Sequence, residues 1–121
     1  MPKVQPRPTH PTLLRMERTD DRYVLHLHIP EDLYYFDGHF PQISIVAGVC
    51  QLKWVIDYIQ TYTGETVQVS ALEDVKFLRP LFPGQSCVLE LTYVPHPARW
   101  RYQIYTDTQR FASGCLLVKP A

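Results

Sequence analysis

A chain of 121 residues, 45% hydrophobic and 20% charged, has the size of one common domain and enough apolar side chains to bury a core, which excludes a disordered chain. Twelve basic and twelve acidic residues cancel, so no electrostatic footprint for nucleic acid or an anionic membrane stands out. No apolar run reaches the roughly 20 residues that a membrane helix requires.

The N-terminal stretch MPKVQPRPTHPT is proline-rich and has no apolar secretory segment. It reads as an extended tail, residues 1–12, on a cytoplasmic protein. Residues 22–29, RYVLHLHI, alternate strictly, which predicts a half-buried strand with Tyr23, Leu25 and Leu27 on one face and Val24, His26 and His28 on the other. An H-x-H pair can hold zinc, but the carboxylate or cysteine partners expected nearby are missing, so His26 and His28 read as outward strand residues.

From Ala47 to about Thr63 the pattern turns helical. Gly48, Leu52, Val55, Ile59 and Tyr62 share one arc, with Lys53, Asp57 and Gln60 opposite, and Gly64 closes the helix. A helix of roughly 25 Å, at 1.5 Å per residue, needs a sheet to lie on in so small a domain. Beyond Gly64, strands are expected near 66–78, 85–95, 99–107 and 110–118, with turns at Pro83-Gly84, His96-Pro97 and Asp107-Thr108. One strand, an irregular segment, one long helix and four strands in succession imply the α+β class. An antiparallel meander would wrap around a single helix, the hot-dog arrangement, in one domain of residues 13–121.

Cys50, Cys87 and Cys115 are scattered and odd in number, which argues for free, buried thiols. Cys50 stands near the expected helix start, where a thiol pKa would be lowered.

Immediately before the helix, GHFPQISIVAGV (38–49) packs a glycine, a titratable ring, a large aromatic and a proline together, a cluster that holds an imidazole in one place. Further on, VKFLRPLFPGQ (75–85) forms a strand and turn. The two segments resemble the β-hydroxyacyl-thioester dehydratase family, which carries G-H-F-P-x-x-P-x-x-P-G-V at the start of its hot-dog helix and V-K-F-x-R-P-V-x-P-G-D on a later strand. Gly38, His39, Phe40, Pro41, Gly48 and Val49 match the first motif, while Ser44 and Ala47 stand where the family usually has proline. The small size and GVCQLKW resemble the short dehydratases of aryl-polyene-type biosynthesis.

The resemblance implies dehydration of a 3-hydroxyacyl thioester to the trans-2-enoyl thioester in fatty-acid-like or polyene biosynthesis. His39 would be the base, since an imidazole titrates near physiological pH. The backbone N–H of Gly48, or of Val49 beside it, would face the thioester oxygen from the helix N-terminus, where free amides and the dipole favour a developing enolate. Phe40 and Pro41 would hold the imidazole, and Leu52, Ile56 and Phe77 would line an acyl tunnel. No metal or nucleotide cofactor is implied; the substrate arrives on the phosphopantetheine of an acyl carrier protein, or as a CoA thioester. The family extends its sheet across two subunits, which implies a homodimer, a hetero-dimer with a paralogue, or a higher oligomer.

One departure stands out. The family places a glutamate or aspartate on the helix fourteen positions after the histidine, contributed by the second subunit, and the count from His39 reaches Lys53. Asp57 is a full turn further, and on helix geometry alone Lys53 and Asp57 make a solvated i,i+4 pair. Three readings stay open: Lys53 donates a proton to the leaving hydroxyl; His39 works with water or another carboxylate in an altered reaction such as thioester hydrolysis; or the chain is a non-catalytic acyl-thioester-binding partner.

The remaining residues divide between function and packing. Arg79 suits either a phosphopantetheine phosphate or the rim of a strand. Arg99, Arg101 and Arg110 suit either a docking patch for an acidic carrier or ordinary surface charge. Trp54 reads as core or dimer interface, Trp100 and Tyr102 as cross-strand packing, and Asp37 as a turn residue.

Overall fold

The computed structural model describes residues 10–31 and 48–119. Six strands and one helix follow in the order β1 (Thr12–Thr19), β2 (Arg22–His28), α1 (Gly48–Thr63), β3 (Val69–Phe77), β4 (Ser86–Pro95), β5 (Ala98–Tyr105) and β6 (Arg110–Val118). The strands form a single antiparallel sheet in the order β1-β2-β4-β5-β6-β3.

Period-two alternation sets the inner face of this sheet. In β2, Tyr23, Leu25 and Leu27 are buried while Val24, His26 and His28 are only partly so. The same pattern continues in Cys87, Leu89 and Leu91 of β4 and in Trp100, Tyr102 and Ile104 of β5. Register then aligns these residues in rows that cross the sheet. One row runs Leu25, Leu89, Ile104, Ala112, Phe77 over five strands; the next runs Tyr23, Leu91, Tyr102, Gly114. Cross-strand neighbours of this kind are the unit of sheet stability.

Helix α1 lies on these rows. Its covered stripe includes Cys50, Gln51, Trp54, Val55 and Ile59, all buried, so it is wider than the arc expected from periodicity. Leu52, Ile56, Tyr58 and Tyr62 pack against the core only in part. Toward the helix C-terminus the packing becomes aromatic. Tyr62 stacks on Tyr23 with ring centroids 5.7 Å apart, and Trp100 lies against Tyr23 at 6.1 Å and Tyr93 at 5.2 Å. The helix stops at Gly64, whose φ of 71° suits the left-handed turn and whose N–H still bonds the Gln60 carbonyl at 3.0 Å.

The single helix against an antiparallel sheet is the hot-dog architecture expected from the sequence, but the connections differ in two respects. Only β4, β5 and β6 form a meander in chain order; β3 crosses to the far edge to pair with β6, and β2 takes the place beside β4. Strand β1 was not expected. Its side chains are almost all exposed, so TLLRMERT has no buried face to impose an alternation. His26 and His28 are outward strand residues as expected: the His26 ring lies 3.2 Å from Arg15 Nη2 and the His28 ring 3.1 Å from the Ser86 hydroxyl.

Gly114 has a packing reason to lack a side chain. A Cβ there would fall 2.7 Å from the ring of Tyr102 on the neighbouring strand. Gly114→Ala is therefore expected to lower the unfolding free energy by about 1–3 kcal/mol through overpacking. A denaturant melt in which the variant matches the parent would remove this contact from the account of the core.

Candidate active site

The histidine-bearing motif divides at the helix start. Residues 38–47, His39, Phe40 and Pro41 among them, lie outside the described residues, as does Asp37. Gly48 and Val49 open helix α1. The first turn of that helix carries no acidic residue, so no carboxylate of its own opposes the positive end of the dipole or competes for its free amides.

The two motif segments meet at this point. A Cβ built on Gly48 would lie 2.6 Å from Cζ of Phe77, inside the ring's contact distance. Phe77 closes strand β3 and belongs to the second motif, so the edge strand of the sheet and the helix N-terminus are in van der Waals contact. The chain that follows Phe77 is tied down as well. The N–H groups of Leu78 and Arg79 both donate to the Phe111 carbonyl, at 2.8 and 3.2 Å. The close-packed aromatic ring is a sufficient reason for glycine at position 48.

Phe77 is 50% exposed despite that contact. One side of its ring rests on the helix and much of the rest stays open. Leu52 and Ile56, one turn apart on the helix, are likewise only partly covered. These three side chains supply apolar surface at the helix N-terminal half that the chain does not bury itself. Lys53 and Arg79 are exposed. Among the described residues Lys53 makes no ion pair, because Asp57 turns the other way: its Oδ2 is 2.7 Å from Nε2 of His10, whose ring stands edge-on to Tyr58. The i,i+4 pair expected from helix geometry is thus replaced by a long-range one. Nothing in the periodicity of the helix could have signalled it, since His10 precedes the first strand.

Two open cavities flank other parts of the sheet. One, of about 620 Å³, lies at the opposite end of the helix among Arg18, Tyr23, Tyr62, Tyr93 and Trp100. Tyr62 is about 21 Å from Gly48 along the helix axis, at 1.5 Å per residue, so this cavity is remote from the motif residues. The other, of about 590 Å³, is bordered by Lys76, Arg101 and Arg110 together with Asp74, Gln103 and Ser113.

The cysteines are free and buried, as expected. Cys50 departs from expectation in its acidity. Burial pushes its thiol up, and the nearby Lys53 ammonium opposes this only in part. Cys87 is pushed up to about 12 by burial, and Cys115 is raised for the same reason. All three should therefore remain neutral thiols at pH 7.5 and react with a disulfide reagent at least about tenfold more slowly in the folded protein than after denaturation. Rapid labelling of one thiol in the native state, located by peptide mass mapping, would contradict this.

The family model of the ApeI-like proteins, described as ApeI dehydratase, matches residues 15–115. Among solved structures, one described as the dehydratase heterocomplex ApeI:P from Xenorhabdus doucetiae is 28% identical, with a TM-score of 0.79 over 92% of this chain and 99% of that one. An uncharacterized protein from Erwinia carotovora subsp. atroseptica is 29% identical, with a TM-score of 0.71 over 92% and 97% of the two chains. The E. coli PaaI protein of the phenylacetic acid degradation operon, at 16% identity and a TM-score of 0.61 over 87% of this chain and 81% of that one, shares the fold. In its motifs, its architecture and its match along residues 15–115, the chain belongs to the ApeI-like family of hot-dog dehydratases.

Proposed function

We propose that this protein acts in the dehydration of a 3-hydroxyacyl thioester, carried by an acyl carrier protein or by CoA, to the trans-2-enoyl thioester during polyene or fatty-acid-like biosynthesis in the cytoplasm. The observation that carries this reading is the meeting of the two motif segments at Gly48 and Phe77, on a helix N-terminus that holds no acidic side chain in its first turn. That end of the helix offers amide donors and positive potential to an oxyanion, and Phe77, Leu52 and Ile56 offer apolar surface to an acyl chain.

In the reaction, the His39 imidazole takes the Cα proton while the amide of Gly48 or Val49 stabilises the enolate oxygen. The C3–O bond then breaks, the hydroxyl leaves as water with a proton from a general acid, and the electron pair forms the Cα–C3 double bond. No metal or further cofactor enters these steps. The base is His39; the identity of the acid depends on Lys53. Its ammonium is exposed and unpaired among the described residues, which suits a group that meets its substrate across a subunit interface.

The edge strand supports such an interface. Strand β3 is open along one side, and Leu72, Phe77, Leu78 and Phe82 on it and just after it are exposed. A second chain laid along β3 would continue the sheet and cover them. Because the helix position that carries an acid in dehydratases of this kind is Lys53, and because a similar protein is a dehydratase heterocomplex, a paralogous partner is the favoured occupant over a second copy. The basic groove of Lys76, Arg101 and Arg110 favours docking of an acidic carrier protein.

The test is incubation of the purified chain, alone and with its paralogue, with a 3-hydroxyacyl carrier-protein substrate, following enoyl product and free thiol by mass spectrometry. Enoyl product lost on His39→Ala is expected, with a drop of at least about a hundredfold for loss of the base. Lys53→Glu is expected to raise turnover of the isolated chain if the lysine marks a missing acid, and to lower it if the lysine is the donor. Free thiol without enoyl product would identify a thioesterase instead. Thioester binding with neither product, in the chain and in the complex, would leave a binding subunit.

A further inference from the structure

Tyr102 is 1% exposed, and its hydroxyl has no hydrogen-bond partner among the described residues. Few buried polar groups in folded proteins are left in that state, because each forgoes its bonds to water without replacement. Its position is also specific. The ring stands on the inner face of β5 in the row Tyr23, Leu91, Tyr102, Gly114. Gly114 leaves the space that the ring occupies: a Cβ there would lie 2.9 Å from the Tyr102 hydroxyl oxygen. The phenol therefore reaches across β6 and places its oxygen over the bare backbone of Gly114, toward β3.

On β3 the row has no partner. The pairing of β3 with β6 slips between Glu73 and Lys76, where Asp74 adopts a φ of 52° in a bulge. The paired rows on either side end in Phe77, opposite Ala112, and in Leu72, opposite Leu116, both about half exposed. Ala112 is two residues from Gly114, about 7 Å along the strand, so the hydroxyl is one row from the Phe77 ring that rests on Gly48. The unpartnered oxygen is thus covered from solvent beneath the break in the β3 pairing, and Tyr102 borders the 590 Å³ cavity together with Gly114, Ala112 and Leu78.

Phenylalanine would fill the same volume without an unsatisfied oxygen. A hydroxyl kept at a cost to stability, at the edge of a candidate site, has its use outside the folded chain. We propose that Tyr102 is a specificity-determining residue of the acyl-binding region, its hydroxyl donating a hydrogen bond to an oxygen carried along the acyl chain of the bound thioester. This rests on the reading of the protein as an acyl-thioester binder and names the acyl class it prefers: chains bearing a hydroxyl or carbonyl beyond the reacting carbons, over plain hydrocarbon. Burial pushes the phenol up to about 12, so the proton stays on the oxygen and the group remains a donor at neutral pH.

The test compares two unreactive CoA thioether analogues with medium-length acyl chains, one all hydrocarbon and one ending in a hydroxyl. Their dissociation constants are measured by calorimetry with the wild-type chain, alone and in complex with its paralogue, and with Tyr102→Phe. Wild type is expected to hold the hydroxylated analogue about tenfold more tightly, Tyr102→Phe to bring the ratio to about one, and the variant to melt at a higher temperature. Equal affinity of the wild type for the two analogues overturns the proposal, without recourse to any variant. A preference that survives Tyr102→Phe overturns it too, as does a variant that is less stable, which would mean that a trapped water satisfies the hydroxyl. Failure of both analogues to bind, alone and in the complex, refutes the acyl-thioester reading itself and this inference with it.

Discussion

The contact between the Phe77 ring and Gly48 is the constraint on which the rest of this arrangement depends. It joins the last residue of an edge strand to the first residue of the helix, and it needs both a residue without a side chain and a flat one. A methyl group at position 48 would collide with the ring, so the helix could not begin where it does, at the depth it does, over β3. Because the following turn is held by two N–H donors on one Phe111 carbonyl, the ring has little freedom to move aside as a unit with its backbone. Helix placement, edge-strand placement and the orientation of the helix amides are thereby a single geometric choice.

The core behind this contact is continuous, whereas its outer margin is unfinished. Rows of aliphatic side chains cross from β2 to β6 and are sealed by Val55 and Ile59 of the helix. The cover ends at β3, where neither face of the strand is well buried. The sheet is well packed over its four central strands and bare on both edge strands, β1 and β3, so its stability comes from the interior. The Asp57–His10 pair acts from the other side of the helix, fastening the segment before β1 to the helix face that also carries Lys53.

Much of this was legible in the sequence, because a few patterns have one physical cause. Alternation in RYVLHLHI gave its inward and outward faces correctly, since one face of β2 is buried and the other is not. The apolar arc and Gly64 bounded the helix to within a residue of Gly48–Thr63. What failed was information that no local pattern holds. Strand β1 is exposed on both faces and leaves no periodic trace. The crossing of β3 to the far edge is decided by which neighbour covers it, not by its own residues. Cys50 sits near a helix start, which favours a thiolate, but burial raises its pKa and outweighs the opposing Lys53 charge. The bond from Asp57 to His10, 47 residues away, could not be read from an i,i+4 spacing that offered Lys53. Of the candidate site, the two motifs named the residues expected there; that Gly48 and Phe77 meet as a ring on a glycine emerged only from the packing.

The order of the strands also governs how such a protein can be made. Strand β3 leaves the ribosome before β4, β5 and β6, yet its only partner among the described strands is β6, the last of them. Until the final strand exists, β3 lacks the strand it pairs with among the described residues, while β4, β5 and β6 can zip together locally as hairpins. Contacts between segments far apart in sequence form late, because the intervening loop must first be closed. The edge that would receive a partner chain is consequently the last part of the sheet to be assembled, and the pairing surface comes into being only on a molecule whose core is already complete.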